Sequence, residues 1–253
     1  MTTLRRLGTP EYRFASLDST MTEAQRVAEA GAPEGAIVIA DTQTAGRGRL
    51  GRSWISEPGV GVYFSLILRP AIPAPRLPVL TLAVGLGVAD GIERTCRVDC
   101  DLRWPNDVLL DAKKCAGILV EASSEAGRAR HLLVGVGINV NHATVPTELA
   151  DIATSARIET GCEYDREEVL HHVLRGVERY YGMFLDEGID AIAHSFTAKS
   201  SYVLHKRVAV LSGSEEIHGT TAGLDPTGML LLETDDGRIE PILAGSVRPI
   251  EDA

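Results

Sequence analysis

The chain has 253 residues, is 44% hydrophobic and carries a formal net charge of −10, enough for one sizeable core with room for a smaller second domain. The acidic balance argues against a duplex nucleic-acid surface, which needs clustered Lys and Arg. No apolar run approaches the roughly 18 residues of a membrane span, and no apolar segment follows Met1-Thr2-Thr3-Leu4-Arg5-Arg6 to make a signal peptide.

Residues 1–17 lead in through Tyr12-Arg13-Phe14, read as a first strand, and are too few for a helix-turn-helix module. Thr20 and Glu23 have capping-box spacing, which predicts a helix from Thr20 to near Gly31 with Met21, Ala24, Val27 and Ala28 on one face. Ser19 and Thr20 then sit at a helix N-terminus, where exposed N–H groups favour an anion such as a carboxylate, although capping alone also accounts for them. Residues 36–40 form a short apolar run typical of a buried strand. It feeds into Gly46-Arg47-Gly48-Arg49-Leu50-Gly51-Arg52-Ser53-Trp54. Glycine lets a backbone turn through positive φ and approach a ligand closely. Arginine supplies a permanently charged fork that matches phosphate and carboxylate oxygens. Such a loop suits a small polyanion, and Trp54 can offer a ring face to a base or close the loop against the core. A solvated Arg/Gly loop is the alternative.

A strand over residues 62–68 stops at Arg69-Pro70, and Pro70, Pro73, Pro75 and Pro78 make a stiff connector. Residues 80–92 read as an apolar helix whose Gly85 and Gly87 imply close packing against a sheet. Residues 102–121 read as a β-hairpin turning at Asp111-Ala112-Lys113-Lys114, with Lys114 opening the return strand. Residues 131–141 are a further strand after a turn at residues 125–128, and its Asn139 must satisfy its amide internally or on a ligand. This strand can pair across a two-fold axis or lie under helices, which leaves monomer and homodimer both open. The four cysteines, Cys96, Cys100, Cys115 and Cys162, lack a second Cys/His pair to complete a zinc site. No metal site in the protein is expected, and the thiols are read as reduced, in a cytoplasmic protein.

After loop-rich residues 142–165, Val169, Leu170, Val173, Leu174, Val177, Tyr180, Tyr181 and Phe184 keep helical spacing over residues 165–185. A second helix spans roughly residues 189–199. From about Lys206 the period changes to two, in short strands at residues 207–211, 216–222, 229–233 and 238–242. The turns Ser212-Gly213-Ser214, Asp225-Pro226-Thr227-Gly228 and Asp235-Asp236-Gly237 separate them, the pattern of a small SH3-like barrel.

With these segments in view the chain resembles the biotin protein ligases over essentially all its length. The Gly-Arg-Gly-Arg-x-Gly-Arg loop and its tryptophan stand at residues 46–54. The block Arg103-Trp104-Pro105-Asn106-Asp107, with a Lys-x-x-Gly-Ile-Leu-x-Glu strand at residues 114–121, matches except that Arg103 replaces the usual lysine. Gly137-Ile138-Asn139 matches a further turn, and Ser19-Thr20-Met21 stands where the family has Ser-Thr-Asn. The resemblance implies an α+β fold: a mixed or antiparallel sheet flanked by helices over residues 1–203, then an SH3-like β-barrel over residues 204–253. It also implies a monofunctional enzyme using ATP, Mg²⁺ and biotin, with a biotin carboxyl carrier domain of a carboxylase as partner and neither nucleic acid nor membrane.

Carried over by position, Ser19, Thr20 and Gln43 would bind the biotin ureido ring, and Gly117 would line the same pocket. Arg47, Gly48 and Arg49 would lie over the carboxylate and the adenylate phosphate. Arg52, Trp54, Asn106 and Asn139 would lie near the nucleotide. Lys114, seven residues after Asp107 and three before Gly117, would contact carboxylate and phosphate oxygens, and Asp107 would hold or deprotonate the acceptor lysine. Arg49, Lys114 and Asp107 form the catalytic set. Two other readings compete: a lipoate or octanoate ligase or acyltransferase, with Cys115 as nucleophile, and a biotin-sensing regulator without catalysis. Cys115 opens an apolar strand, though, and reads better as a small buried thiol.

Overall fold

The computed structural model describes residues 7–73, 76–125, 128–213 and 215–250. The expected turn at residues 125–128, Pro75, Ser214 and the lead-in residues 1–6 fall wholly or partly outside them. A seven-stranded mixed sheet forms the centre, built from β1 (Glu11–Leu17), β2 (Ile37–Gln43), β3 (Gly61–Leu68), β4 (Asp101–Arg103), β5 (Asp107–Leu110), β6 (Lys113–Glu125) and β7 (Arg128–Asn139). Their spatial order is β1-β2-β3-β7-β6-β5-β4, with β1 parallel to β2 and all other neighbours antiparallel. Every residue of β3 is buried, Ser65 included, as a mostly apolar run requires of a central strand. Over residues 132–138 both edges of β7 are paired, to β3 and β6, and its first residues have no partner strand on the β3 side among the described residues.

Helix α1 (Thr20–Glu29) lies on one face, its Met21, Ala24, Val27 and Ala28 packed with Val38, Ile67 and Leu133. Its N-cap is Ser19, one residue before the expected Thr20: the Ser19 hydroxyl accepts from Met21 N at 3.3 Å, and Glu23 pairs with Arg26 instead of closing a capping box. The other face carries α2 (Leu77–Cys96), α4 (Arg166–Glu187) and α5 (Ile189–Lys199), with a short α3 (Ala156–Thr160) in the stretch read as loop. Pro78 belongs to the first turn of α2, where a missing N–H costs nothing, so the proline connector is shorter than expected. The close approach read into this helix is to α4, not to the sheet. A Cβ at Gly87 or Gly91 would overlap the backbone of Val177 or Val173, whereas one at Gly85 would meet only side chains at 3.9 Å.

The hairpin in the middle of the chain is tighter than expected. Only Asp111 and Ala112 turn, at φ 45° and 61°, and both lysines belong to β6. A left-handed alanine costs roughly 1–2 kcal/mol. Ala112→Gly is therefore expected to raise the melting midpoint by about 2–4 °C in a thermal scan, without altering the site.

Five antiparallel strands close the chain: β8 (Leu204–Ser212), β9 (Glu215–Leu224), β10 (Leu230–Thr234), β11 (Ile239–Ile242) and β12 (Ser246–Pro249). Their order is β11-β10-β9-β8-β12, one strand more than the alternation of the sequence suggests. Trp104 Nε1 donates to Gly228 O at 3.0 Å, and a Cβ at Gly228 would stand 2.8 Å from Val79 of α2, so this sheet is docked against the main body beside β4.

Candidate functional site

The loop at residues 46–54 folds back on itself through Trp54 N to Gly46 O at 2.9 Å and Gly48 N to Arg52 O at 2.7 Å. Leu50 and Gly51, both at positive φ, make its tip. This geometry lays the loop over β6 and β7, at positions where those strands carry glycine. A Cβ at Gly137 would collide with the Trp54 ring, and one at Gly117 would stand 2.9 Å from both Trp54 and the Lys114 side chain. Gly135 leaves its space to Met21, whose sulfur would lie 2.8 Å from such a Cβ. The glycines at 117, 135 and 137 are thus the floor of a cleft, the place expected of Gly117, whereas Gly135 and Gly137 read in the sequence as strand core. Met21, where the family has asparagine, packs on this floor as a buried apolar side chain. The Trp54 indole N–H is buried without a hydrogen-bond partner among the described residues.

At one end a narrow pocket of about 40 Å³ is lined by Ser19, Thr20, Gln43, Arg47, Lys114 and Gly117, among others. Gln43 Oε1 accepts from Thr20 N at 2.8 Å and Thr20 Oγ1 at 3.1 Å, and Gln43 Nε2 donates to Ser56 Oγ at 2.9 Å. Ser65, fully buried on β3, donates to Thr20 Oγ1 at 2.8 Å. The hydroxyl and the amide are therefore held by one network joining α1, β2 and β3.

At the other end an open cleft of about 620 Å³, within the ordinary range for ligand sites, is lined by Gly48, Arg49, Arg52, Trp54, Asn106, Asp107, Lys114 and Asn139. Lys114 Nζ lies 2.6 Å from Asp107 Oδ1 and 5.4 Å from the Trp54 ring centroid. Arg103 Nη2 lies 2.9 Å from Asp107 Oδ2. Burial alone would raise the Asp107 pKa; the charges of Lys114 and Arg103 outweigh it and hold the carboxyl below its ordinary range. Arg49 is largely buried, which lowers its pKa against the pull of Asp107. Its Nη1 donates to Asn106 Oδ1 at 2.8 Å, and Asn106 Nδ2 donates to Ile118 O at 2.9 Å, so Asn106 aims the arginine. Arg47 turns to Glu121, 2.6 Å away at the pocket rim, and Arg52 is exposed on the loop.

Asn139 resolves the alternative left open by the sequence: its Nδ2 donates to Thr154 O at 2.9 Å. That bond supports a segment the sequence did not mark, in which Lys114 N donates to Ile152 O and Thr154 N to Lys114 O, each at 2.9 Å. Glu148, Leu149 and Ile152 of this segment wall the cleft. Nothing in the sequence sets Leu149 and Ile152 apart from core residues; in the structure Ile152 is 58% exposed. Gly245, Ser246 and Val247 bring the C-terminal sheet to the opposite wall.

Cys115 is the small buried thiol that its place at the start of an apolar strand suggested, not the nucleophile of the competing reading. It is fully buried, its thiol donates to Asn139 O, and burial pushes its pKa well above the ordinary thiol range. A thiol so placed is not a nucleophile. Among the described residues no helix is long and apolar enough to cross a membrane.

A cleft walled by cations with the Asp107 and Glu148 carboxylates, continuing into the hydrogen-bonding pocket of Ser19, Thr20 and Gln43, can bring two oxyanions together. Known proteins place the chain in a family. Residues 13–139 match the biotin/lipoate A/B protein ligase family, and residues 203–248 match the biotin protein ligase C terminal domain. The bifunctional ligase/repressor BirA of Bacillus subtilis is 42% identical over 227 residues, covering 87% of this chain and 68% of that protein. The biotin--[acetyl-CoA-carboxylase] ligase of Paracoccus denitrificans is 33% identical over 89% of this chain and 95% of its own. The biotin protein ligase of Aquifex aeolicus, solved in complex with biotin and ATP, superimposes with a TM-score of 0.84 at 36% identity, covering 96% of this chain and 100% of that one. The chain belongs to the biotin/lipoate A/B protein ligase family, as one of its biotin protein ligases.

Proposed function

We infer that this protein activates biotin with ATP to biotinyl-5′-AMP and transfers biotin to a lysine of a biotin carboxyl carrier domain, in the cytoplasm. The observation that carries this reading is the convergence of Arg49, Lys114 and Asp107 on one cleft that continues into the neutral pocket of Thr20 and Gln43. In this reading residues 1–203 carry the chemistry, and residues 204–253 form a module that also walls the cleft.

A ureido ring has two N–H donors and one carbonyl acceptor, and Ser19, Thr20 and Gln43 offer complementary groups at the closed end. At about 40 Å³ that pocket admits a bicyclic acid only as the loop or the Trp54 ring gives way. The carboxylate then lies between Arg49 and Lys114. Its oxygen attacks the α-phosphorus of ATP, the bond to the β-phosphate oxygen breaks, and pyrophosphate leaves. Two anions must meet in this step, so positive charge fixed in place is the main catalytic device. Trp54, Leu149 and Ile152 provide apolar surface for the adenine, with Asn139 bracing the segment that carries the latter two.

No group of three or more carboxylate, histidine or cysteine ligands exists among the described residues, and Asp107 already carries two cations. Mg²⁺ fits here as the companion of ATP, held chiefly by phosphate oxygens, where it supplies charge neutralisation. In the second step a lysine amine of the carrier attacks the acyl carbon, the C–O bond to the phosphate breaks, and AMP leaves. The amine must first shed a proton, which passes to solvent at the mouth of the open cleft. Asp107, held below the ordinary carboxylate range, is a weak base, and in this reading it docks the ammonium.

ATP–pyrophosphate exchange with Mg²⁺, comparing biotin, lipoate and octanoate, tests the reading. Exchange is expected with biotin alone. Exchange with lipoate or octanoate instead would move the protein to the neighbouring lipoate ligases, and none with any acid would remove the adenylation step.

A further inference from the structure

Asp107 is held from two sides, and the two holds differ. On one side Lys114, on a flexible four-carbon stem, touches Oδ1 at 2.6 Å. On the other, Arg103 reaches Oδ2 through Nη2 at 2.9 Å and Nε at 3.3 Å, from the position directly opposite Asp107 in the β4–β5 ladder. Arg103 is itself braced. Its guanidinium carbon stands 5.9 Å from the ring centroid of Tyr202, which is 3% exposed, with Lys206 Nζ 5.6 Å from that centroid. The stretch carrying Tyr202 is stitched along β4: Ser201 N and Oγ donate to the Asp101 carboxylate at 2.9 and 2.6 Å, and Ser200 Oγ donates to Leu102 O. This is also where the chain passes from α5 into β8.

Lysine, the residue the family resemblance placed at 103, is a point charge on a flexible stem and gives no planar fork to lie on a ring and grip one oxygen with two donors. Arginine here makes a fixed clamp on Oδ2 and leaves Oδ1 to whichever cation is mobile. While the cleft holds no acyl phosphate that cation is Lys114. Once anionic oxygens lie in the cleft, Lys114 has a stronger partner. A second ammonium on Oδ1 is then opposed by one fewer positive charge.

We propose, resting on the ligase reading above, that Arg103 is a positioning residue for the transfer step: braced on Tyr202, it holds Asp107 by Oδ2 so that Oδ1 passes from Lys114 to the ammonium of the acceptor lysine. The hand-off orders the reaction, because the docking point opens to the acceptor after adenylation draws Lys114 away. It also ties the catalytic carboxylate to the junction with the C-terminal sheet.

The test separates the two half-reactions in the full-length protein. Adenylation is followed by pyrophosphate exchange with biotin, and transfer by single-turnover mixing of the preformed biotinyl-adenylate complex with a carrier domain at varied concentration. Arg103→Gln is expected to raise the ratio of exchange rate to transfer rate about tenfold or more, with the loss in the dependence on carrier rather than on biotin. Arg103→Lys, which keeps the charge and folds like the parent at this rim position, should recover part of the ratio. Tyr202→Leu should shift it in the same direction as Arg103→Gln. A parallel fall of both rates, or an unchanged ratio in Arg103→Gln and Tyr202→Leu, overturns the proposal while leaving the ligase reading intact. Parent protein inert in both assays overturns that reading and this one with it.

Discussion

Replacing Lys114 by alanine is expected to slow pyrophosphate exchange with biotin by a factor on the order of 10²–10³. The lysine is the flexible cation of the cleft, 28% exposed and within reach of both the Asp107 carboxylate and the space beneath the 46–54 loop. A preorganised cation beside two approaching oxyanions acts mainly in the transition state, so the loss should fall on kcat more than on the KM for biotin. Lys113→Ala is the matched control, because that side chain turns away to Ala150 O. The fold should survive, since Asp107 keeps Arg103. The pH dependence follows from the depressed Asp107 pKa. Pairing to Lys114 stabilises the fold above the unfolded carboxyl pKa of about 4, and that contribution is lost as pH falls. The difference in melting midpoint between parent and variant should therefore be largest near neutrality and close towards pH 3. Exchange within a few-fold of the parent would remove Lys114 from the catalytic set.

Gly87→Leu should be the most damaging single change to the fold. Helices α2 and α4 meet with Gly87 against Gly176 and Val177, so close that even one methyl on Gly87 or Gly176 would overlap backbone of the other helix. Backbone cannot give as a side chain can, so the helices must separate and leave voids along the rest of their contact. A loss of roughly 3 kcal/mol or more is expected, which lowers the thermal midpoint by about 10 °C. Gly182→Ala, on the same helix but with nothing within 4 Å of its added methyl, is expected to stabilise by about 0.5–1 kcal/mol. Equal midpoints for Gly87→Leu and the parent would mean that the helices are not in contact there.

The local features were legible because their causes are local. Apolar spacing marked α1 and α4, a short apolar run marked β2, and the Gly/Arg alternation marked the anion loop. Asp107 and Lys114 could be placed because one hairpin brings them together. The glycine partners were not legible: Gly85 and Gly87 signal close packing alike, but only the path of α4 decides that Gly87 is the one in contact. Cys115, opening an apolar strand, read more readily as a small buried thiol than as a nucleophile, and the β5–β6 register, irregular at Val108/Leu109, places it in the core.

By itself the sequence determined the element types, the charge chemistry and the motifs that place the chain among biotin protein ligases, because each depends on residues close together along the chain. Only the tertiary structure decided which distant groups share the cleft: Glu121 beside Arg47, the segment at residues 148–153 around Lys114, Gly245 and its neighbours from the C-terminal sheet, and Tyr202 beneath Arg103. Those pairings depend on strand order and on how two sheets dock. Both come from burying apolar faces as a whole, and no single stretch of sequence encodes them.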